Sequence, residues 1–401
     1  MNVLVVNAGS SSLKYQLFDT DKNEVKAKGL CERIGIDGKI VHKVAGKPDY
    51  VKEIEMKNHA DATRILVSTL TDKEVGCISD MSEIEAVGHR VVHGGSYFTQ
   101  SMLLTDEVME KLELCRELAP LHTPPTLMGI AGCVEAMPEV PQVLVFDTAF
   151  HQTMPEEAYF YAVPYEYYDK YKIRKYGFHG TSHRYVSAEM IKLLDKPAEE
   201  TKIVTCHLGN GSSISAVKGG KVIDTTMGFT PLDGVIMGTR SGNIDPAIIP
   251  FLMEKENLSV KEINDILNKK SGFLGVSGVS SDCRDISEAM ENGNERAALA
   301  MKILGYQIKK YIGAYAAAMG GLDAIVFTAG IGENTPLIRE MACEGLEYLG
   351  VELDKNVNNN VPRPIGTTCL SNAGSKVKVY LIPTNEEYVI ANDTAEIVSK
   401  L

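Results

Sequence analysis

The alternation of apolar and polar positions divides the chain into short strand-like runs and longer helical stretches. Val3–Phe18 opens with the apolar run Val3-Leu-Val-Val6, turns through Gly9–Ser12, and resumes with Leu13, Tyr15 and Leu17 on alternate positions. Ile203–Val217 repeats the scheme, with Ile203–Cys206, a turn at Gly209–Ser213, and then Ile214 and Ala216. Period-two alternation on either side of small turn residues predicts a β-hairpin in both places. Gly9-Ser10-Ser11 and Gly211-Ser212-Ser213 stand about half a chain length apart. This spacing reads as an internal duplication, the alternative being two unrelated hairpins that share common turn residues.

Helical spacing appears in Leu299–Met319, where Leu304, Ile308, Tyr311, Ile312, Tyr315 and Met319 fall on one face. Gly320-Gly321 ends that helix, and Ala324–Phe327 reads as a buried strand. Further strand-like runs lie at Glu85–Val92, Val143–Phe146 and Val377–Ile382, and further helical patterns at Thr105–Leu118, Ser182–Leu194 and Ser259–Leu267. Strands alternating with helices predict an α/β protein with helix-covered sheets. The Tyr-rich segment Tyr159–Tyr176, with Pro155 and Pro164 nearby, is expected to cross between halves. The Asn/Pro/Gly-rich stretch Asn356–Lys376 is expected to be a surface loop without a function of its own.

Composition narrows the functional classes. A chain of 401 residues is long enough for two or three domains, and its 44% hydrophobic and 23% charged residues are those of a globular protein. The formal net charge of −12 disfavours non-specific binding to nucleic acid or to anionic membranes. Any anionic ligand must then be met by a few local cations and backbone N–H groups. Eight cysteines without a Cys-x-x-Cys pair argue for reduced thiols and a cytoplasmic setting. The N-terminus lacks a basic start and a sustained apolar run, unlike a signal peptide. Tyr311–Phe327, the longest membrane candidate, is interrupted by Asp323 and glycines.

Three turns of small residues follow strand-like runs: Asn7–Ser12 with Lys14 beyond it, His207–Ser213, and Gly330–Asn334. Small residues let backbone N–H groups approach an anion, although hairpin tips have the same composition. None matches the P-loop or the Rossmann pattern. Arg90 lies at a strand end beside Gly94-Gly95, Arg240 lies in a Gly-flanked loop, and Arg284 stands between Asp282 and Asp285. A guanidinium in such a loop suits carboxylate or phosphate, or satisfies loop carbonyls. Phe178–His183 contains His-x-x-x-His, but Gly180 replaces the glutamate of a zinc hydrolase, so Thr181 or Ser182 as a helix N-cap fits better. Asp147 ends a strand, where α/β sites gather, and Glu386 opens the last helix. Each could equally be a structural helix-end carboxylate.

These motifs together resemble the acetate kinase family. The resemblance runs from Asn2 to the final helix and rests on Asn7–Lys14, His89–Gly95, Phe178–His183, His207–Ser213, Gly238–Gly242, Ser280–Asp285 and Gly330–Asn334. It implies two duplicated ribonuclease H-like α/β domains flanking an interdomain nucleotide cleft, the fold shared with sugar kinases and actin-like ATPases. Residues 1–150 plus 386–401 would form the N-terminal domain, with the C-terminal helix returning to it. Residues 151–385 would form the nucleotide-binding and dimerisation domain of a cytoplasmic homodimer.

The resemblance further implies ATP-dependent phosphorylation of acetate, with Mg²⁺ or Mn²⁺ as the metal and acetyl phosphate and ADP as products. Asn7 and Glu386 would organise the metal. Lys14, His207, Leu208, Gly209, Asn210, Gly211, Asp282, Cys283, Arg284, Gly330, Ile331, Gly332, Glu333 and Asn334 would hold the nucleotide. Arg90 would grip the substrate carboxylate, with the methyl group against Val92, Leu121, Phe178 and Pro231. His179 and Arg240 would stabilise the transferring phosphoryl group, and Asp147 would be the essential carboxylate. Two positions depart from the family pattern: Thr123 replaces an expected Asn, and Cys283 an expected aromatic. A propionate or other short-chain carboxylate kinase is the nearest alternative, and a non-catalytic actin-like nucleotide-binding protein is the alternative from another class.

Overall fold

A computed structural model describes residues 1–120 and 122–401. Two compact units partition the chain: unit 1 is Met1–Phe150 with Asn385–Leu401, and unit 2 is His151–Thr384.

Unit 1 is built on an eight-stranded sheet. Its strands are β1 (Asn2–Ala8), β2 (Ser12–Asp19), β3 (Glu24–Glu32), β4 (Lys39–Val44), β5 (Tyr50–Glu53), β6 (Ala86–Val91), β7 (Met102–Leu103) and β8 (Gln142–Phe146), in the spatial order β5-β4-β3-β2-β1-β6-β8-β7. Strands β1, β2 and β3 pair antiparallel, whereas β1–β6 and β6–β8 pair parallel. Unit 2 carries β9 (Lys202–Leu208), β10 (Ser212–Lys218), β11 (Lys221–Thr225), β12 (Ala324–Thr328), β13 (Thr368–Cys369) and β14 (Lys378–Leu381), ordered β11-β10-β9-β12-β14-β13. There β9, β10 and β11 pair antiparallel, and β9–β12 and β12–β14 pair parallel. Three antiparallel strands continued by two parallel ones occur in both sheets, so the two predicted hairpins open the same topology twice.

The alternation that predicts the hairpins also assigns their faces. In β1, Leu4 and Val6 pack with Leu13, Tyr15, Leu17 and Leu66 in one core, and Val3 and Val5 pack with Phe18, Ile390 and Ala391 in another. Helices on both faces explain why β1 is continuously apolar from Val3 to Val6. The helix Glu386–Val398 covers the second face, and Gly88 is required beneath it: a Cβ there would stand 2.4 Å from Thr394 Oγ1 and 2.8 Å from an Ile390 methyl. In unit 2 the helix Glu295–Met319 buries Leu304, Ile308, Ile312, Tyr315 and Met319 against Val204, Cys206, Ile325 and Phe327.

Four local expectations change. Thr181 and Ser182 do not cap a helix: Gly180–Leu193 begins one residue after His179, whose backbone is left-handed at φ 60°. The small residues Gly330–Asn334 are not an open turn but lie in the short helix Ala329–Asn334. Tyr159–Tyr176 lies wholly within unit 2. The stretch Asn356–Lys376 contributes part of a helix, Lys355–Asn359, and strand β13, and it brings Arg363 to a cavity described below. Among the described residues no helix is long and apolar enough to cross a membrane.

Candidate active site

In unit 1 the chemistry collects at the C-terminal ends of the parallel strands, where connections leave backbone and side chains free of the sheet. Asn7 is the penultimate residue of β1 and lies directly across from Lys14 in β2. Arg90 precedes the last residue of β6, and Asp147 follows β8, its N–H donating to the Val91 carbonyl at 2.9 Å. This places the Arg90 guanidinium on the Asp147 carboxylate. Nη2 donates to Oδ2 at 2.7 Å, and Nε lies 3.2 Å from both oxygens. Glu386, the first residue of the final helix, has Oε1 3.9 Å from the same Nη2. Burial alone would lower the pKa of Arg90, but the charges of Asp147 and Glu386 outweigh it and hold the group above the usual arginine value. Asp147 is 1% exposed, and this fork neutralises a charge that burial would otherwise make costly. The pairing engages one edge of the guanidinium and leaves the Nη1 hydrogens outside the pair, where they could receive a planar anion.

Val92 follows Arg90 in the same segment and is half-buried. Asn7 and Lys14 line a cavity of about 290 Å³ together with Lys28, Lys43 and Glu387. No group of three or more His, Cys, Asp or Glu side chains forms a metal cage among the described residues. The donor chemistry nevertheless fits Mg²⁺. Asp147, Glu386 and the Asn7 amide are hard oxygen donors, and Mg²⁺ characteristically completes a small protein set with water and phosphate oxygens.

In unit 2 the turn between β9 and β10 is closed by the Gly209 N–H on the Gly211 carbonyl at 3.1 Å. The Gly238–Gly242 loop docks on it, the Gly238 N–H donating to the Asn210 carbonyl at 3.1 Å. Two nitrogens converge on Gly211: a Cβ there would lie 3.6 Å from both Arg240 Nη1 and His179 Nε2. Arg240 Nη1 donates to the Pro231 carbonyl at 3.1 Å, and among the described residues no carboxylate lies within ion-pair distance of it. Burial pushes the Arg240 pKa below the usual arginine value. Phe178 is buried and Pro231 half-buried, whereas Leu121 falls outside the described residues.

A larger cavity of about 1120 Å³ in unit 2 is lined by Gly209, Asn210, Asp282, Cys283, Arg284, Gly330, Ile331 and Asn334. Asp282 caps the helix Cys283–Glu291, its carboxylate accepting from the Arg284 side chain at 2.6 Å and backbone at 2.8 Å. These bonds push its pKa down to about 2. The remaining predicted residues lie elsewhere. Leu208 is fully buried in the core, and His207 hydrogen-bonds Ser182 through Nδ1 at 2.7 Å. Gly332 and Glu333 direct their carbonyls at Arg339 Nη1, at 2.8 and 3.1 Å. Glu333 turns its carboxylate back to the Ala329 N–H at 2.9 Å, and burial raises its pKa.

Sequence reasoning misses three contributors here. Arg363 lines the cavity and donates to Asn334 Oδ1 at 2.6 Å. Arg339, 1% exposed, pins the Ala329–Asn334 helix to Asn358 at 2.7 Å, with burial lowering its pKa to about 10. Ser213 Oγ joins two histidines, lying 2.8 Å from His179 Nδ1 and 2.7 Å from His183 Nε2. The mixed Asn/Pro/Gly composition around Arg363 carries no signal that would single it out.

A sequence model described as the acetokinase family matches residues 2–392. The acetate kinase of Thermoanaerobacter pseudethanolicus is 59% identical over 403 aligned residues, covering the whole of both chains. The crystal structure of Porphyromonas gingivalis acetate kinase is 48% identical, covers 99% of each chain and superposes with a TM-score of 0.94. A propionate kinase structure from Francisella tularensis is 42% identical, covers 98% of this chain and 99% of the other, and gives a TM-score of 0.91. Identity at this level, sustained from end to end on a duplicated α/β fold, leaves one assignment: the chain belongs to the acetokinase family.

Proposed function

We infer that the chain catalyses reversible transfer of the γ-phosphoryl group of ATP to the carboxylate of acetate, giving acetyl phosphate and ADP. The observation that carries this reading is the Arg90 guanidinium, fixed edge-on by buried Asp147 with its Nη1 hydrogens outside the pair. A carboxylic acid with a pKa of ~4–5 is ionised at neutral pH, so the acceptor needs no base. The difficulty is charge, since one anion must attack another, and positioned cations are the remedy. Arg90 would hold the acceptor carboxylate and Val92 would limit its chain length, with Phe178, Pro231 and Leu121 against the methyl group. Arg240 and His179 would meet the phosphoryl oxygens. Asp147, with both oxygens on Arg90, would orient that cation rather than accept a proton.

The β9–β10 turn with His207–Gly211, the Asp282–Arg284 helix start and Gly330–Asn334 would receive the nucleotide, and Lys14 would contact its phosphates. Asn7 and Glu386 would hold Mg²⁺ (or Mn²⁺) with water, and the metal would supply charge neutralisation of the transferring phosphates when bound. A cytoplasmic homodimer is the assembly this reading carries.

Trapping acyl phosphate as hydroxamate tests the reading: acetate, ATP and Mg²⁺ should yield acetyl hydroxamate, and absence of product with intact ATP binding would refute it. The propionate kinase among the similar structures supports a second reading, preference for propionate. One methylene is worth only ~1–3 kcal/mol, so both acids should react. The ratio of their kcat/KM values decides, with acetate expected to lead.

A further inference from the structure

The large cavity of unit 2 has two unlike ends. At one end stand Gly209 and Asn210, and the helix Ala329–Asn334 starts against them: a Cβ on Gly209 would lie 3.9 Å from that of Ala329. Small residues there let backbone groups approach an anion. Further along the two helices that wall the cavity, the lining turns to Met290, Pro336 and Leu337, with the carboxylates of Glu288 and Glu291. Apolar groups and two acids repel phosphate and suit a neutral ring. A nucleotide would therefore enter with its phosphates toward Gly209 and its base toward Leu337.

A purine ring gains most from a flat partner on its face. Among the described residues that line the cavity none is aromatic, so its planar cations, Arg284 and Arg363, are the candidates. Arg284 is already engaged by the Asp282 carboxylate, Nε at 3.0 Å and Nη2 at 2.6 Å. Arg363 is held differently. Its Nη1 donates to Asn334 Oδ1 at 2.6 Å, and among the described residues no carboxylate lies within ion-pair distance of it. Asn334 is itself fixed, because its Nδ2 donates to the Gly330 carbonyl at 2.8 Å. Chemistry sets the orientation of this amide: a guanidinium can only donate and a carbonyl can only accept. The side chain of Asn334 thus stands one helical turn, about 5.4 Å, beyond Gly330 and carries Arg363 to the base end. A guanidinium gripped at one edge keeps both flat faces for stacking.

We propose that Arg363 is a specificity-determining residue for the phosphoryl donor: its guanidinium, anchored by Asn334, stacks on the purine ring and so favours a base-bearing donor over inorganic polyphosphate. Asn334 is then a positioning residue that acts on the nucleotide through Arg363. This inference rests on the reading of the cavity as the nucleotide site under the proposed function.

The test is calorimetric titration of ADP, GDP and inorganic tripolyphosphate into the full-length protein with Mg²⁺. Arg363 is exposed, so Arg363→Ala should fold. It should weaken ADP and GDP alike by ~3–30-fold, the range of a cation stacked on a ring, and leave tripolyphosphate within about twofold. Asn334→Ala should act in the same direction, with tripolyphosphate again unmoved, which a merely misfolded cavity would not give. The double variant should bind ADP within about twofold of Arg363→Ala, because one route joins the two residues. Wild-type ADP affinity in Arg363→Ala would overturn the proposal. So would an equal loss for ADP and tripolyphosphate, which would put Arg363 on the phosphates. Additive losses in the double variant would overturn the route through Asn334. If wild type binds no ADP, the nucleotide reading of the cavity falls and takes this inference with it.

Discussion

Removing the Arg90 side chain should destabilise unit 1 far more than the loss of one surface cation would. Asp147 is 1% exposed and its ion-pair partner is 19% exposed, with a shortest contact of 2.7 Å. Truncating one member of such a pair leaves the buried charge of the other without that counter-charge, which costs about 3–5 kcal/mol. In a unit of the 150–250-residue class each kcal/mol moves the melting temperature by roughly 2–4 °C. Arg90→Ala should therefore lower the Tm of unit 1 by roughly 6–20 °C. The double variant Arg90→Met with Asp147→Leu removes both charges and replaces them with apolar groups, and it should recover most of that loss, because replacing a whole buried pair is often nearly neutral. Differential scanning calorimetry of wild type, Arg90→Met, Asp147→Leu and the double variant closes the cycle. All three variants should lose acetyl phosphate formation, so stability and activity should separate cleanly in the double variant. If Arg90→Ala melts within about 2 °C of wild type, the pair is screened by water and the argument from burial fails.

Other consequences follow from single contacts. Arg240→Ala should lower kcat by ~10²–10⁵, as removal of a cation from a transferring phosphoryl group typically does, and stopped assays of hydroxamate formation would read it. Gly238→Ala would place a Cβ 2.0 Å from Asn210 Oδ1 and 2.9 Å from the Ser281 carbonyl, so it should displace the loop and raise the KM for ATP; an unchanged KM would show that the loop adapts freely. His89 is buried against Gln142, and burial, opposed only by that hydrogen bond, lowers its pKa to about 4. A histidine depressed in the folded state contributes stability above its unfolded pKa near 6.5 and loses it as pH falls through about 4. Roughly 3 kcal/mol should therefore vanish across that window, and His89→Gln should flatten the slope of denaturation midpoint against pH. Glu386→Gln should raise the Mg²⁺ concentration needed for half-maximal rate while leaving the melting temperature close to that of wild type.

The sequence reveals the elements whose cause is local. Leu13, Tyr15 and Leu17 alternate because one face of β2 is buried, and Glu295–Met319 shows its period because one stripe of a long helix meets the second sheet. Arg90 and Asp147 are legible as strand-end residues, but their pairing is not, since it depends on β6 and β8 lying side by side across 57 positions of chain. Ser213 is hidden for the same reason: it looks like any hairpin-tip serine, and its contacts come from His179, just before helix Gly180–Leu193, and from His183 within it. Gly330–Asn334 misleads in the other direction. Two glycines suggest an open turn, yet Arg339 collects the Gly332 and Glu333 carbonyls and Glu333 caps its own helix start, so tertiary contacts overrule a low helix propensity.

The two arginines picked out by their glycine-flanked settings occupy opposite electrostatic situations, and the difference bears on how an acidic chain handles anionic ligands. Arg90 is compensated by Asp147 and Glu386, so it presents fixed geometry with little net field. That suits a small carboxylate, which must be oriented but must also leave as an acyl phosphate. Among the described residues Arg240 has no carboxylate partner, and burial pushes its pKa down, so it is a cation held at a cost that an incoming anion would repay. That suits a group whose charge is spread over several oxygens while it transfers. A net charge of −12 is therefore no obstacle to two anionic substrates. Acidic groups elsewhere are screened over roughly 8–10 Å at ordinary ionic strength, and the balance that matters is set by the one or two cations within contact distance.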